Sequence, residues 1–438
     1  MGQRGHRLGK VAAAVLVCAV LPLAACTTPE PGSTAPGTPG GTSSGTGSTG
    51  PSPSGSSPAG SSPSGSSAPS ASESGTGASK PASPSSSEDA EDQATAAARE
   101  RLEALSLEQR VGQVLMMGVP ATGAGASDLA VLEQEHVGNV FLKGRSSAGL
   151  KATAAAVDEL KATVSDTTTG GVGQFISTDQ EGGQVQVLKG PGYTRIPAGI
   201  TQGSWDPDVL QDRAAGWGSE LASTGINVNL APVADTVPAS IGTGNAPIGA
   251  FGREYGHTAA SASAGSSAFA AGMEAAGVHP VMKHYPGLGK VSRNTDVSHG
   301  VTDTATTRDD AALRPFQAGI DDGIDFVMLS SAYYAKIDPD HPAAFSDTVI
   351  NGMLRGDQGF QGIVISDDMC DAVQFRDWKY ATRAKKFFDA GGTMMLCVNQ
   401  KAIPSIADGL VAQAKADPAF RQKIDDAALK VLAVKDGL

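Results

Sequence analysis

The chain has 438 residues and carries 33 Lys and Arg against 45 Asp and Glu, a formal net charge of -12. That acidic balance, with no basic cluster and no heptad repeat, argues against a nucleic-acid partner and against a coiled coil. From about residue 92 onward the length suits one α/β barrel or two medium domains.

The chain begins with Arg4, His6, Arg7 and Lys10, followed by the apolar run VAAAVLVCAVLPLAA up to Cys26. A basic start ahead of a short apolar run reads as an export signal, and the run is too short and too early for a membrane span. Leu23-Ala24-Ala25-Cys26 resembles the lipobox of bacterial lipoproteins. That resemblance implies removal of residues 1–25, acylation of Cys26 and an extracytoplasmic protein held at the cell membrane by lipid. Ordinary secretory cleavage after Ala25 is the alternative. Residues 26–91 are Gly, Ser, Pro, Thr and Ala with almost no large apolar side chain. Such a stretch cannot bury enough surface to offset its ordering entropy, so it reads as a disordered tether. Its r.m.s. reach is on the order of 40 to 50 Å.

Residues 92–438 alternate two patterns. Eight short apolar runs occur in order: VGQVLMMG from Val111, VGNVFL from Val137, VGQFIST from Val172, INVNLA from Ile226, VHPVM from Val278, FVMLS from Phe326, GIVIS from Gly362 and TMMLCV from Thr393. They are free of charge, as parallel strands buried on both faces must be. Ala-rich amphipathic stretches such as AGLKATAAAVDELKATV and YATRAKKFFDAGG separate them, and Gly277, Gly323 and Gly391-Gly392 stand where a helix would stop. Eight strand–helix alternations with no Gly-x-Gly-x-x-Gly after the first strand predict a closed (β/α)8 barrel of the TIM type. Two further helices fill the remaining C-terminal residues. Any site is then built by the barrel's own loops, at the strand C-termini.

Those strand ends carry Asp179, Asp235, Lys283 with His284, Ser330 with Ser331, Asp367 with Asp368, and Asn399. No Cys/His cluster has zinc spacing and no loop gathers enough oxygens for calcium, so no metal or organic cofactor is expected. Carboxylates mixed with a few cations and hydroxyls suit a neutral polyhydroxylated ligand, which needs donors and acceptors together; sugars fit this description. His136 and His279 fall at strand starts, on the far side from the active face, and read as packed or capping residues. Met116, Met117, Met394 and Met395 read as core alternating in and out of the barrel, and Trp205, Trp217 and Trp378 as helix packing, with stacking of one of them on a sugar as the alternative. Cys370 and Cys397 close two neighbouring strand runs, either as a disulfide or as buried free thiols.

DQEGGQVQ, GINVNLAPVAD, APIGAFGREYG, KHYPGLG and GIVISDDM occur in this order, and together they resemble glycoside hydrolase family 3, in its single-barrel branch of β-N-acetylhexosaminidases. The resemblance covers the chain from about residue 100 to its end. It implies that Asp367 is the nucleophile of a retaining double displacement, kept ionised with help from nearby Lys283. It also implies that Asp179 accepts from sugar hydroxyls while Arg253, Lys283 and His284 donate to them. Asp368 reads as a cap, Glu181 as a supporting residue, and Gly182-Gly183 as a sharp turn or a close approach to the sugar ring.

The chain departs from the family pattern in three places. Leu288 stands where the family's PGHG has His, and Val187 where it often has an Arg that contacts substrate. The family's Asp-x-His acid/base dyad is drawn out to Asp296-Val297-Ser298-His299. Three readings follow: a bulged loop lets His299 act with Asp296 nearby, Asp296 acts itself, or the site is inactive. The expected protein is a lipid-anchored glycosidase removing terminal β-linked sugars, foremost N-acetylglucosamine from peptidoglycan fragments. A β-glucosidase of the same fold and a non-catalytic saccharide-binding cell-wall lipoprotein are the alternatives.

Overall fold

A computed structural model describes residues 88–436 of the chain. The expected signal peptide, Cys26 and nearly all of the tether lie outside the described residues. Helix α1 (Glu88–Ala104) begins four residues inside the stretch read as tether, 26–91. That boundary is corrected: the Ala-, Glu- and Arg-rich sequence favours helix, and its Ala98 and Leu102 pack against Val172 and Leu432.

After α2 (Leu107–Gln113), the barrel alternates as expected. Strands β1 (Leu115–Pro120), β2 (Asn139–Lys143) and β3 (Phe175–Thr178) are followed by helices α3 (Ala126–Gln134), α4 (Leu150–Lys161) and α5 (Pro207–Ala222). Then come β4 (Val228–Asn229), α6 (Ala259–Ala275), β5 (His279–Tyr285), α7 (Arg314–Asp321), β6 (Phe326–Leu329) and a π-helix (Thr348–Asp357). Strand β7 (Ile363–Ser366), α8 (Tyr380–Asp389), β8 (Met395–Cys397), α9 (Ile403–Ala416) and α10 (Pro418–Asp436) complete the chain. Neighbouring strands pair in parallel from β8 through β1 round to β7. A single bridge, Ile365 to Met394, closes the circle between β7 and β8. The protein is a (β/α)8 barrel.

Local chemistry sets the helix limits. Ser106 and Gln109 cap α2 reciprocally, and Thr258 and Ser261 do the same for α6. Gly277, Gly323 and Gly391 follow helices at φ +74°, +92° and +97°, the left-handed turn that lets the chain leave a helix.

The barrel interior is filled by side chains that alternate along each strand. Met116 and Met394 point inward, whereas Met117 and Met395 pack against the surrounding helices. Val431 of α10 joins the interior cluster from below. Lys435 of the same helix is buried there, its Nζ 2.8 Å from Gln113 Oε1, 3.0 Å from the Gly138 carbonyl and 5.1 Å from the centre of the Phe175 ring. Burial without a carboxylate partner pushes Lys435 down to about 7. This end is closed. At the other end Phe141 of β2, Leu230 directly after β4, Met328 of β6 and Leu396 of β8 form the last apolar layer and the floor of the cleft above.

Candidate active site

Above that floor, the next inward positions belong to odd-numbered strands and are polar. Asp179 directly follows β3, Lys283 lies near the end of β5, and Asp367 directly follows β7; all three line one open cleft of about 620 Å³. Lys283 and His284 lie within β5, which runs through them to Tyr285. Their connecting peptide is cis, and both side chains line the cleft.

On the β3–β5 side the charges are paired. Lys283 Nζ lies 2.7 Å from Asp179 Oδ1 and 2.6 Å from Glu181 Oε1. Arg253 grips the same Glu181 with two bonds of 2.8 and 2.7 Å and donates a third, 2.9 Å, to the Pro247 carbonyl. Burial alone would raise the Glu181 carboxyl, but Arg253 and Lys283 outweigh it and hold the group at about 2. Burial opposes the charge on Lys283 too, yet Asp179 and Glu181 keep its pKa above the ordinary value. Asp235, fully buried, accepts from His284 Nδ1 at 2.7 Å and from the Leu288 amide at 2.6 Å. This fixes the imidazole and leaves its Nε2 as the second ring nitrogen. Glu181 and Asp235 are therefore the organising carboxylates of this wall. The sequence placed both near strand ends, but only the fold shows which cations they hold.

Gly182 and Gly183 make a sharp turn at φ +111° and +56°. A Cβ on Gly182 would stand 2.2 Å from the Pro197 carbonyl oxygen, so the close approach is to the protein's own backbone. Val187 is buried in the core, and Leu288 contributes an apolar patch to the cleft wall.

The β5-loop and β7 side is organised differently. Ser366 and Asp368 bond toward β8: Ser366 Oγ accepts from the Leu396 amide at 2.9 Å, and Asp368 Oδ1 from the Val398 amide at 3.0 Å. Asp368 also accepts from the amides of Cys370 and Asp371, so it caps the turn after β7 as expected. Asp367, between them, faces the cleft, and one of its oxygens accepts from the Asp368 amide at 2.8 Å. Its carboxyl is pushed up to about 6, chiefly by burial and then by the charge of Asp296. His284 and Lys283 act in the opposite direction but more weakly. The expected depression by Lys283 is present but is reversed in the net, because burial and the charge of Asp296 outweigh it.

The loop after β5 brings Asn294, Thr295 and Asp296 to the cleft. The carbonyls of Asp296 and Thr295 accept from the amides of Val373 and Gln374, just beyond the β7 turn, at 3.0 and 3.1 Å. His299 is not among the cleft-lining residues. Its Nε2 lies 2.8 Å from Oδ2 of the exposed Asp377, and the expected Asp296–His299 pair does not form. The three-residue offset and the anchoring of residues 295 and 296 carry the histidine past the opening.

Cys370 and Cys397 form a disulfide. His136 bonds the Thr168 carbonyl and His279 bonds Asp325, away from the cleft. Trp205 and Trp217 pack on each other, and Trp378 packs on Phe345, so none faces the cleft. The exposed aromatic side chain at the opening is Phe251, which the sequence did not single out. Among the described residues no group of three or more His, Cys, Asp and Glu side chains could hold a metal ion.

A model of the glycosyl hydrolase family 3 N-terminal domain matches residues 106–434. A β-hexosaminidase of Stenotrophomonas maltophilia is 31% identical over 298 residues, covering 66% of this chain and 84% of the relative. The crystal structure of a β-N-acetylhexosaminidase from Beutenbergia cavernae is 50% identical with a TM-score of 0.75, over 76% of this chain and 99% of that one. A family 3 β-N-acetylglucosaminidase from Paenibacillus is 27% identical with a TM-score of 0.67, over 76% of this chain and 63% of that one. The matched segment contains the whole barrel and every cleft residue described above, and the chain belongs to glycoside hydrolase family 3.

Proposed function

We propose that this glycoside hydrolase removes terminal β-linked N-acetylhexosamine residues, foremost N-acetylglucosamine, with retention of configuration. The observation that carries the reading is the pairing of a half-buried Asp367 with Asp296 across one cleft, beside a wall of fixed donors and acceptors. Asp367 attacks the anomeric carbon and forms a glycosyl ester. Asp296 protonates the leaving oxygen and then takes a proton from the incoming water. Asp179, Arg253, Lys283 and His284 bind the sugar hydroxyls; because their charges are already paired, they act as oriented hydrogen-bond partners.

The names of the relatives support the N-acetylhexosamine preference. The disulfide supports an oxidising compartment. Together with the lipobox-like start, it supports a lipid-anchored enzyme outside the cytoplasm, acting on peptidoglycan fragments.

The test is hydrolysis of aryl β-N-acetylglucosaminide and aryl β-glucoside by the protein, with mechanism-based trapping and peptide mapping. The acetamido sugar is expected to be turned over at least about tenfold faster, a difference of about 1.4 kcal/mol in the barrier, with the label on Asp367. A label elsewhere overturns the mechanism, preference for the glucoside overturns the substrate, and saccharide binding without turnover of either substrate establishes the non-catalytic alternative.

A further inference from the structure

The barrel is joined least firmly where its reacting carboxylate sits. Strands β1 and β2 pair over five positions and β6 and β7 over four, whereas β7 and β8 share the single bridge Ile365–Met394. Beyond that bridge, side chains replace most of the backbone pairing. The amides of Leu396 and Val398 turn to Ser366 Oγ and Asp368 Oδ1, the residues on either side of Asp367. The Met369 amide reaches the Leu396 carbonyl at 3.1 Å, and Asn399 Nδ2 reaches Asp371 Oδ1 at 3.0 Å. Arg383, from α8, bonds the carbonyls of Met369 and Cys370 at 2.6 and 2.7 Å. Across this seam, three residues after Asp367, runs the Cys370–Cys397 disulfide.

We propose that the Cys370–Cys397 disulfide is a positioning element for Asp367, a covalent closure of the β7–β8 seam in place of the missing strand ladder. This rests on Asp367 being the nucleophile. A strand end held by its own ladder keeps a side chain in place without further help; beyond its single bridge, this one is held across the seam by three side-chain bonds, one backbone bond and a covalent link. Without the link the turn 367–371 keeps its hydrogen bonds but gains freedom along the seam. Asp367 then spends less time at the attack geometry, and small misplacements of a reacting group carry large rate costs. The sugar clamp belongs to β3, β4 and β5, on the other side of the cleft, and is left intact. The signature is a loss in kcat with KM little changed.

The experiment compares the disulfide-intact protein with Cys370→Ser/Cys397→Ser, and with the unmutated protein treated with a trialkylphosphine, which covers the case in which the variant folds poorly. Readouts are kcat and KM on aryl β-N-acetylglucosaminide, the acid limb of the pH profile, the affinity for a cationic iminosugar that pairs with the Asp367 carboxylate, and Tm. Expected without the disulfide are a fall of about tenfold in kcat, KM within about twofold, a shifted acid limb and weaker iminosugar binding well below Tm. A lowered Tm with kcat, pH profile and iminosugar affinity unchanged would make the link a stabilising bond only and overturn the proposal. Absence of turnover in the intact protein counts against the enzymatic reading instead, and iminosugar affinity still decides the positioning role.

Discussion

The two walls of the cleft use charge in opposite ways. On the β3–β5 wall every buried charge has an opposite partner: Glu181 lies between Arg253 and Lys283, Lys283 also meets Asp179, and Asp235 holds His284. On the β7 wall Asp367 faces the like charge of Asp296, and burial adds to the cost of ionising it. The paired wall is rigid and electrostatically satisfied, which suits recognition of a neutral sugar. The unpaired wall is kept tense, which suits a nucleophile and a proton donor that must change state in each cycle.

Replacing Asp367 should separate the walls most sharply. Asp367→Ala is expected to lower kcat by about 10³- to 10⁵-fold while ligand binding through the paired wall persists, as calorimetry would show. The same change should stabilise the fold at pH 7.5. A carboxyl raised to about 6 from 3.8 costs nothing below its ordinary pKa; the cost builds as pH climbs from that value to about 6 and is constant above it. The expected gain is about 1 kcal/mol at pH 7.5 and near zero at pH 4. In the unmutated protein, activity should fall as pH drops below about 6, as Asp367 takes up its proton.

Asp296→Asn ranks next, with a loss of about 10²- to 10³-fold on substrates with poor leaving groups. With an aryl leaving group its main effect should be slow deglycosylation, relieved by azide as an external nucleophile. An unaffected enzyme would remove Asp296 from the tense wall. Glu181→Gln tests the paired wall: leaving Lys283 and Arg253 short of their shared counter-ion should cost about 3 kcal/mol in denaturant unfolding. The stabilisation from Glu181 is complete above its ordinary pKa of 4.5 and is lost as pH falls through about 2. The smallest effect is expected for His299→Ala, within about threefold in kcat, because an exposed pair with Asp377 is worth little. A larger loss would bring His299 back as the acid.

The barrel was legible because its strands carry the simplest signal a chain can give, short charge-free runs such as GIVIS and FVMLS at regular intervals. Asp179 and Asp367 were legible for the same reason: a polar residue that ends such a run stands on the open rim. The Glu181–Arg253 pair spans 72 residues of sequence and follows from the closing of the barrel, so no local pattern announces it. The choice between Asp296 and His299 also lay beyond the sequence. The two share an irregular loop without periodicity, and its direction is set by distant amides, those of Val373 and Gln374. The net pKa of Asp367 escaped prediction because its burial and the nearness of Asp296, 71 residues earlier in the chain, arise only in the fold.

The closed end of the barrel has a further consequence. Helix α1 lies along α10, with Arg101 bonded to Asp436, and α10 plugs the barrel beneath Phe175. The part of α1 that holds Arg101 therefore lies at the plugged end, and no residue of α1 or α10 lines the cleft. Fixing the protein to a surface through the exposed position 103 of α1, with Glu103→Cys, leaves the mouth unobstructed, so immobilised enzyme should treat long glycans and small aryl glycosides with the same relative preference as enzyme free in solution.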